Sequence, residues 1–132
     1  MTRRRPQVRK YMTRIPHEAE RCSTVAEAVE VMQTHAIRHI PVMKGAHVAG
    51  IVSERDVLTS RIKFGSKLDA MPLEDICQKD VLCVNPMTPV DEVARRLLGR
   101  KVGSAVVLDG DFLVGIFTTT DALRVLKDVF SS

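Results

Sequence analysis

Apolar residues recur along this chain with two different periods. Val25, Ala28, Val29 and Met32 follow i, i+3, i+4, i+7 spacing, and so do Val90, Val93, Ala94 and Leu97. That spacing predicts two amphipathic helices. Their starts are marked: Thr24 with Glu27 reads as a capping box, and Thr88-Pro89 as an N-cap followed by proline at the first helical position. After each helix come two β-rich runs, HIPVM then HVAGIV and SAVVL then FLVGIF, split by Lys44-Gly45 and Asp109-Gly110. Asp-Gly between apolar runs predicts a hairpin closed by a type I′ turn, which needs positive φ at both central residues. A further helix follows each hairpin, from Ser53 to about Phe64 and from Thr118 to about Val129. Val57, Leu58 and Ile62 are expected on the buried face of the first, and Ala122, Leu123, Leu126 and Val129 on that of the second. Gly65 is placed to end the first. A short strand is expected ahead of each series, more clearly at VLCV (81–84) than at the polar PHEAER (16–21). In the connecting GSKLDAMPLED, Pro72 is placed to begin a small helix.

The two series are copies of one unit. At an offset of 65 residues, Ser23 to Leu58 aligns without a gap on Thr88 to Leu123. Val25/Val90, Glu27/Glu92, Val42/Val107, Gly45/Gly110, Gly50/Gly115, Ile51/Ile116, Asp56/Asp121 and Leu58/Leu123 are identical pairs. The order is strand, helix, strand, strand, helix, twice over, which makes the fold class α+β. Neither half is large enough to bury much alone. The expectation is therefore two sheets packed against each other around a pseudo-twofold axis, with clefts along the seam. The divisions expected are a basic extension at 1–10, a first repeat at 11–65, a linker at 66–75 and a second repeat at 76–132.

Candidate chemistry lies in the twice-written motif GIVSERD (50–56) and GIFTTTD (115–121). Glycine lets a ligand ring or a neighbouring backbone come close to the strand. The hydroxyls Ser53 and Thr118 fall where a strand ends and a helix N-terminus begins, with free N–H groups suited to a phosphate. Asp56 and Asp121 would repel that phosphate, but a carboxylate can accept both O–H bonds of a ribose diol. The same Ser/Thr-x-x-Asp spacing is also a helix-capping box, and duplication copies a cap as readily as a site.

The combination of A-I-R-H-I-P-V (36–42), a hairpin, G-I-V-S-E-R-D and a second copy at this spacing resembles a tandem pair of CBS domains, the cystathionine-β-synthase-type repeat known as a Bateman module. The resemblance covers about residues 8 to 130. It implies tandem β-α-β-β-α repeats that bind AMP, ADP, ATP or S-adenosylmethionine in the clefts between them, regulate another activity, and commonly pair as disc-shaped homodimers. It places Arg38 and His39 at the phosphates, with backbone near Pro41 reading the adenine, and Ser53, Asp56, Thr118 and Asp121 near ribose or phosphate. Arg55 is a further phosphate candidate. Thr13 and Ile15, which match Gln78 and Asp80 by offset, are expected at the entrances, and Val81, Ser104 and Thr120 complete the implied nucleotide set. In the second copy Gly103 and Ser104 replace Arg38 and His39, Val106 replaces Pro41 and Thr120 replaces Arg55, so the two sites should be unequal.

Composition narrows the alternatives. The net charge is +4, and residues 1 to 10 hold five of the twenty basic groups and no acid, so the excess belongs to the tail. A second functional class follows from it, an adaptor for nucleic acid or an acidic protein acting through the Arg-rich tail. Cys22, Cys77 and Cys83 form no C-x-x-C pair, and read as free thiols, with a redox regulator as a third option. His35 and His39 have the i, i+4 spacing of metal ligands, without an evident third. P-loop, zincin and nucleophile-elbow motifs are missing from the sequence, and a non-catalytic protein is expected. The lack of a long apolar run or signal-like segment makes a cytoplasmic address the default, with no membrane partner.

Overall fold

The computed structural model describes residues 5–14 and 17–131. In chain order the elements are β1 (Thr13–Arg14), β2 (Ala19–Glu20), α1 (Val25–His35), β3 (His39–Lys44), β4 (His47–Ser53), α2 (Glu54–Phe64), β5 (Cys83–Val84), α3 (Val90–Arg100), β6 (Ser104–Asp109), β7 (Phe112–Thr118) and α4 (Thr119–Ser131). Short 3-10 turns occur at Val8–Lys10, Gly65–Ala70 and Leu73–Asp75. Among the described residues this is an α+β fold with two sheets and four α-helices. Both short strands expected ahead of the copies are present, the polar one included: β2 pairs parallel to β3, and β5 parallel to β6.

The chain forms two compact units, His17–Val81 and a second made of the N-terminus with Leu82–Ser132. In the first, β2, β3 and β4 make a three-stranded sheet, and Val25, Ala28 and Met32 of α1 join Ile40, Val42, Val52 and Val57 in its core. The second has the order β1-β7-β6-β5, and Val90, Val93 and Leu97 of α3 pack with Ala105, Val107 and Phe117.

Each unit takes in a segment that local pattern does not assign to it. Val8 is fully buried in the core beside Phe117 and Leu97, and β1 pairs antiparallel with β7, Thr13 opposite Ile116. Residues 5–14, read as part of a basic extension and as the start of the first repeat, are thus built into the unit that holds the second copy. Leu73, at the same offset from Val8, is buried in the other core, and Gln78 exchanges both backbone bonds with Ile51 at 2.8 and 2.9 Å. The matching bonds repeat in detail. Val8 N donates to Thr88 O and Leu73 N to Ser23 O, both at 2.8 Å; Val90 N donates to Pro6 O and Val25 N to Met71 O at 2.8 and 2.9 Å.

Three local expectations need correction. The N-cap of α3 is Pro89, not Thr88, whose buried hydroxyl instead accepts from Asn85 N at 3.2 Å. The hairpin loops are Gly45-Ala46 and Gly110-Asp111, with positive φ at the glycines (61° and 62°) and not at the second residue, so they are not type I′ turns. A turn left-handed only at its first central residue asks for glycine at that place alone. Finally, Leu58 is 62% exposed, Ile62 90% and Leu123 65%, with Leu126 and Val129 about half exposed. In α2 the inward stripe is Val57 with Phe64, and in α4 it is Asp121, Ala122 and Val125. Successive residues differ by about 100° around a helix. The neighbouring apolar positions therefore form a second, outward stripe.

Candidate functional site

The hairpin registers bring the motif residues together. His39 lies opposite Ser53 at the open end of β3 and β4, and Ser104 opposite Thr118 at the same end of β6 and β7. Arg38 is exposed, and its carbonyl accepts from Glu54 N at 2.8 Å, joining the strand entry to the first turn of α2. The Gly103 carbonyl does the same for Thr119 N at 3.1 Å.

Both motif carboxylates cap helices. Asp56 Oδ2 accepts from Ser53 N at 2.9 Å while Ser53 Oγ accepts from Asp56 N at 3.0 Å, a reciprocal capping box. Asp56 Oδ1 accepts from Gln78 Nε2 at 3.1 Å. In the second copy Asp121 Oδ2 accepts from Thr118 N at 2.9 Å and from Thr118 Oγ1 at 3.3 Å, and Oδ1 takes Arg124 Nη1 at 2.9 Å. Asp121 is only 2% exposed, whereas Asp56 is half-buried. Capping and ligand contact are compatible where a lone pair stays accessible, which is the condition of Asp56. Gln78 and Arg124 had not been singled out as site residues. The offset from Thr13 pointed to the first, and the i, i+3 spacing from Asp121 to the second.

The motif glycines are there for backbone approach. A Cβ on Gly50 would stand 2.6 Å from Gln78 O and 2.8 Å from Cys77 Sγ, and one on Gly115 2.6 Å from Met12 Sδ and 2.9 Å from Thr13 O. Of the two roles open to a strand glycine, the neighbouring chain fills this one.

Burial lowers the His39 pKa from its ordinary value, Asp56 draws it back up, and Arg38 lowers it again. The neutral form of His39 is thereby favoured. Arg38 and Arg55 are exposed and have no ion-pair partner among the described residues. Pro41 is buried opposite Ile51, Val81 is half-buried, Thr120 is exposed in the first turn of α4, and Thr13 is exposed on β1. Ile15 lies outside the described residues. His35 stacks on His17 with ring centroids 3.7 Å apart, and no cluster of three or more metal-ligating side chains occurs among the described residues. Burial raises the pKa of the Cys77 and Cys83 thiols, which disfavours the reactive thiolate. No helix among the described residues is long and apolar enough to cross a membrane.

Comparison with known proteins agrees with the doubled architecture. The putative acetoin utilization protein AcuB of Vibrio cholerae has the same fold with a TM-score of 0.84 at 31% identity, covering 96% of this chain and 94% of that one. The CBS domain pair of protein MJ0100, in complex with 5′-methylthioadenosine and S-adenosylmethionine, matches with a TM-score of 0.84 over 95% of this chain and 98% of that one, at 22% identity. An A-adding tRNA nucleotidyltransferase of Geobacter sulfurreducens is 30% identical over 102 residues, 77% of this chain. The chain spans only 11% of that enzyme's length. The sequence model of the CBS domain matches twice, over residues 8–63 and 73–128. The chain belongs to the CBS domain family, as a tandem pair.

Proposed function

We propose that this CBS pair is a regulatory module that acts by binding an adenosine-containing ligand, of the class AMP, ADP, ATP or S-adenosylmethionine, rather than by catalysis. The observation that carries the reading is the constellation at the start of α2. Exposed Arg38 and Arg55 supply cationic groups beside a helix N-terminus, where a phosphate or carboxylate is favoured. Asp56, oriented by Ser53 N and the Gln78 amide, retains accessible lone pairs for a ribose diol. The complex of the MJ0100 pair with two adenosine compounds supports the ligand class.

The second copy offers a poorer seat. Its carboxylate is enclosed and tied to Arg124, and Gly103, Ser104 and Thr120 stand where the first copy has Arg38, His39 and Arg55. Ser104, Thr118, Thr120 and Asp121 would then serve the helix start more than the ligand. Pro41, Val81 and Thr13 belong to the proposed lining on the strength of the family pattern.

Calorimetric titration with AMP, ADP, ATP and S-adenosylmethionine tests this. Asp56→Ala is expected to weaken binding of the preferred ligand at least about ten-fold, the worth of one charge-assisted hydrogen bond. Asp121→Ala should chiefly lower stability, by about 1–3 kcal/mol, because Thr118 N loses its acceptor. Unchanged affinity in Asp56→Ala would remove Asp56 from the site, and no binding of any of the four would remove the ligand class.

A further inference from the structure

The unit that holds the second copy has an apolar groove of about 370 Å³ between α3 and α4, lined by Pro6, Val90, Phe117, Ala122, Leu126 and Val129 among others. Its counterpart in the other unit is full. At the offset of 65, five of these positions correspond to Met71, Val25, Val52, Val57 and Phe64, and those side chains form the core around Leu68. Leu68 is fully buried and is carried by the 3-10 turn Gly65–Ala70. At the same offset Leu68 corresponds to Arg3, which lies outside the described residues.

The surroundings of the groove are basic. Arg5 and Pro6 also line an adjoining cavity with Gln7, Arg9 and Lys10. Asp91, at the groove, is tied to Arg5 at 3.0 Å, while Arg9 and Lys10 stay exposed and unpaired among the described residues. We propose that this groove is a docking site for an acidic segment of a partner protein, which inserts one leucine-sized side chain from a short helical turn as Leu68 does in the twin groove. The seat fixes the shape of the anchor, and Arg9 and Lys10 fix the sign of its flanks. The groove belongs to one unit and the proposed ligand seat at α2 to the other, so either proposal can fail without the other.

The test uses the full chain and the twin groove's own plug as probe. A fluorescent peptide of residues 63–75 (KFGSKLDAMPLED), the same peptide with Lys63→Glu and Lys67→Glu, and a third carrying Leu68→Asp as well are titrated by anisotropy. The acidic peptide is expected to bind saturably and at least about ten-fold more tightly than the native sequence, with Leu68→Asp losing about ten-fold or more. In the protein, Leu126→Glu should weaken the acidic peptide at least about ten-fold, whereas Ile62→Glu, exposed on the other unit, should leave it unchanged. Both substitutions fall on exposed helix positions, so folding is retained. No saturable binding up to about 1 mM, or indifference to Leu126→Glu, would overturn the proposal. So would a Leu126→Glu chain that loses mass in sedimentation without any peptide having bound, since the cover would then be a second copy.

Discussion

A half-buried imidazole beside the proposed ligand seat makes the stability of the fold sensitive to pH. His39 is neutral-favoured in the folded chain because burial opposes its charge more than Asp56 supports it. Its folded pKa lies below the ordinary value of 6.5, so as pH falls through that value the unfolded chain takes up a proton that the folded one resists. Stability should decline below that point and level off once folded His39 also titrates. Replacing it by His39→Gln removes this contribution, so urea midpoints at pH about 7.5 and about 5.5 should lie closer together in the variant than in the parent. An equal drop in both proteins would show that His39 is not the source. The residues on this scale were legible as types but not as states. The motif Asp residues stood out from the repeat, yet nothing in Ser-x-x-Asp or Thr-x-x-Asp separates a half-open cap from one closed by Arg124. That difference comes from a side chain one helical turn away and from burial, neither of which the motif contains.

Among the elements, helices and hairpins followed from their periods, and the short strands from their place ahead of each copy. Two things did not. A helix with two apolar stripes does not state which one faces its sheet, and Leu58 and Leu123 went outward because Val57 and Ala122 one step before them took the inner face. Strand partners are also nonlocal. The pattern of residues 8–14 is the same whichever copy it joins, and only the paired backbone bonds show that it completes β7 while residues 73–78 complete β4. The motif glycines are the sequence trace of this arrangement. Gly50→Ala or Gly115→Ala should each destabilise by about 1–3 kcal/mol, since the new methyl meets a backbone carbonyl that has no rotamer to change. Gly99, with open space around it on α3, is the control: Gly99→Ala should stabilise by about 0.5–1 kcal/mol through helix propensity. Thermal midpoints moving in the same direction at Gly50, Gly115 and Gly99 would contradict the close-approach reading.

At the scale of the whole molecule, the outward stripes leave much apolar surface uncovered. Leu58 and Ile62 on α2, and Leu123 and Phe130 on α4, are all more than 60% exposed. Single exposed apolar residues are ordinary, but the last helix of each unit carries a row of them, which is the mark of an interface. Charge does not oppose self-association. Outside the first ten residues, fifteen basic groups stand against sixteen acidic ones, so the body of the chain is nearly neutral. The expectation is a homodimer in which the exposed rows of α2 and α4 take part. Equilibrium sedimentation of the parent chain should give twice the chain mass, and Ile62→Glu or Leu123→Glu should return it to the monomer, because a carboxylate buried in an apolar contact loses its hydration without gaining a partner. A monomeric parent at about 100 µM would rule the interface out, as would a dimer indifferent to both changes. If the dimer forms and ligand binding at Asp56 survives Ile62→Glu, pairing and sensing are separable. A loss of both together would instead make the dimer the element through which the ligand acts.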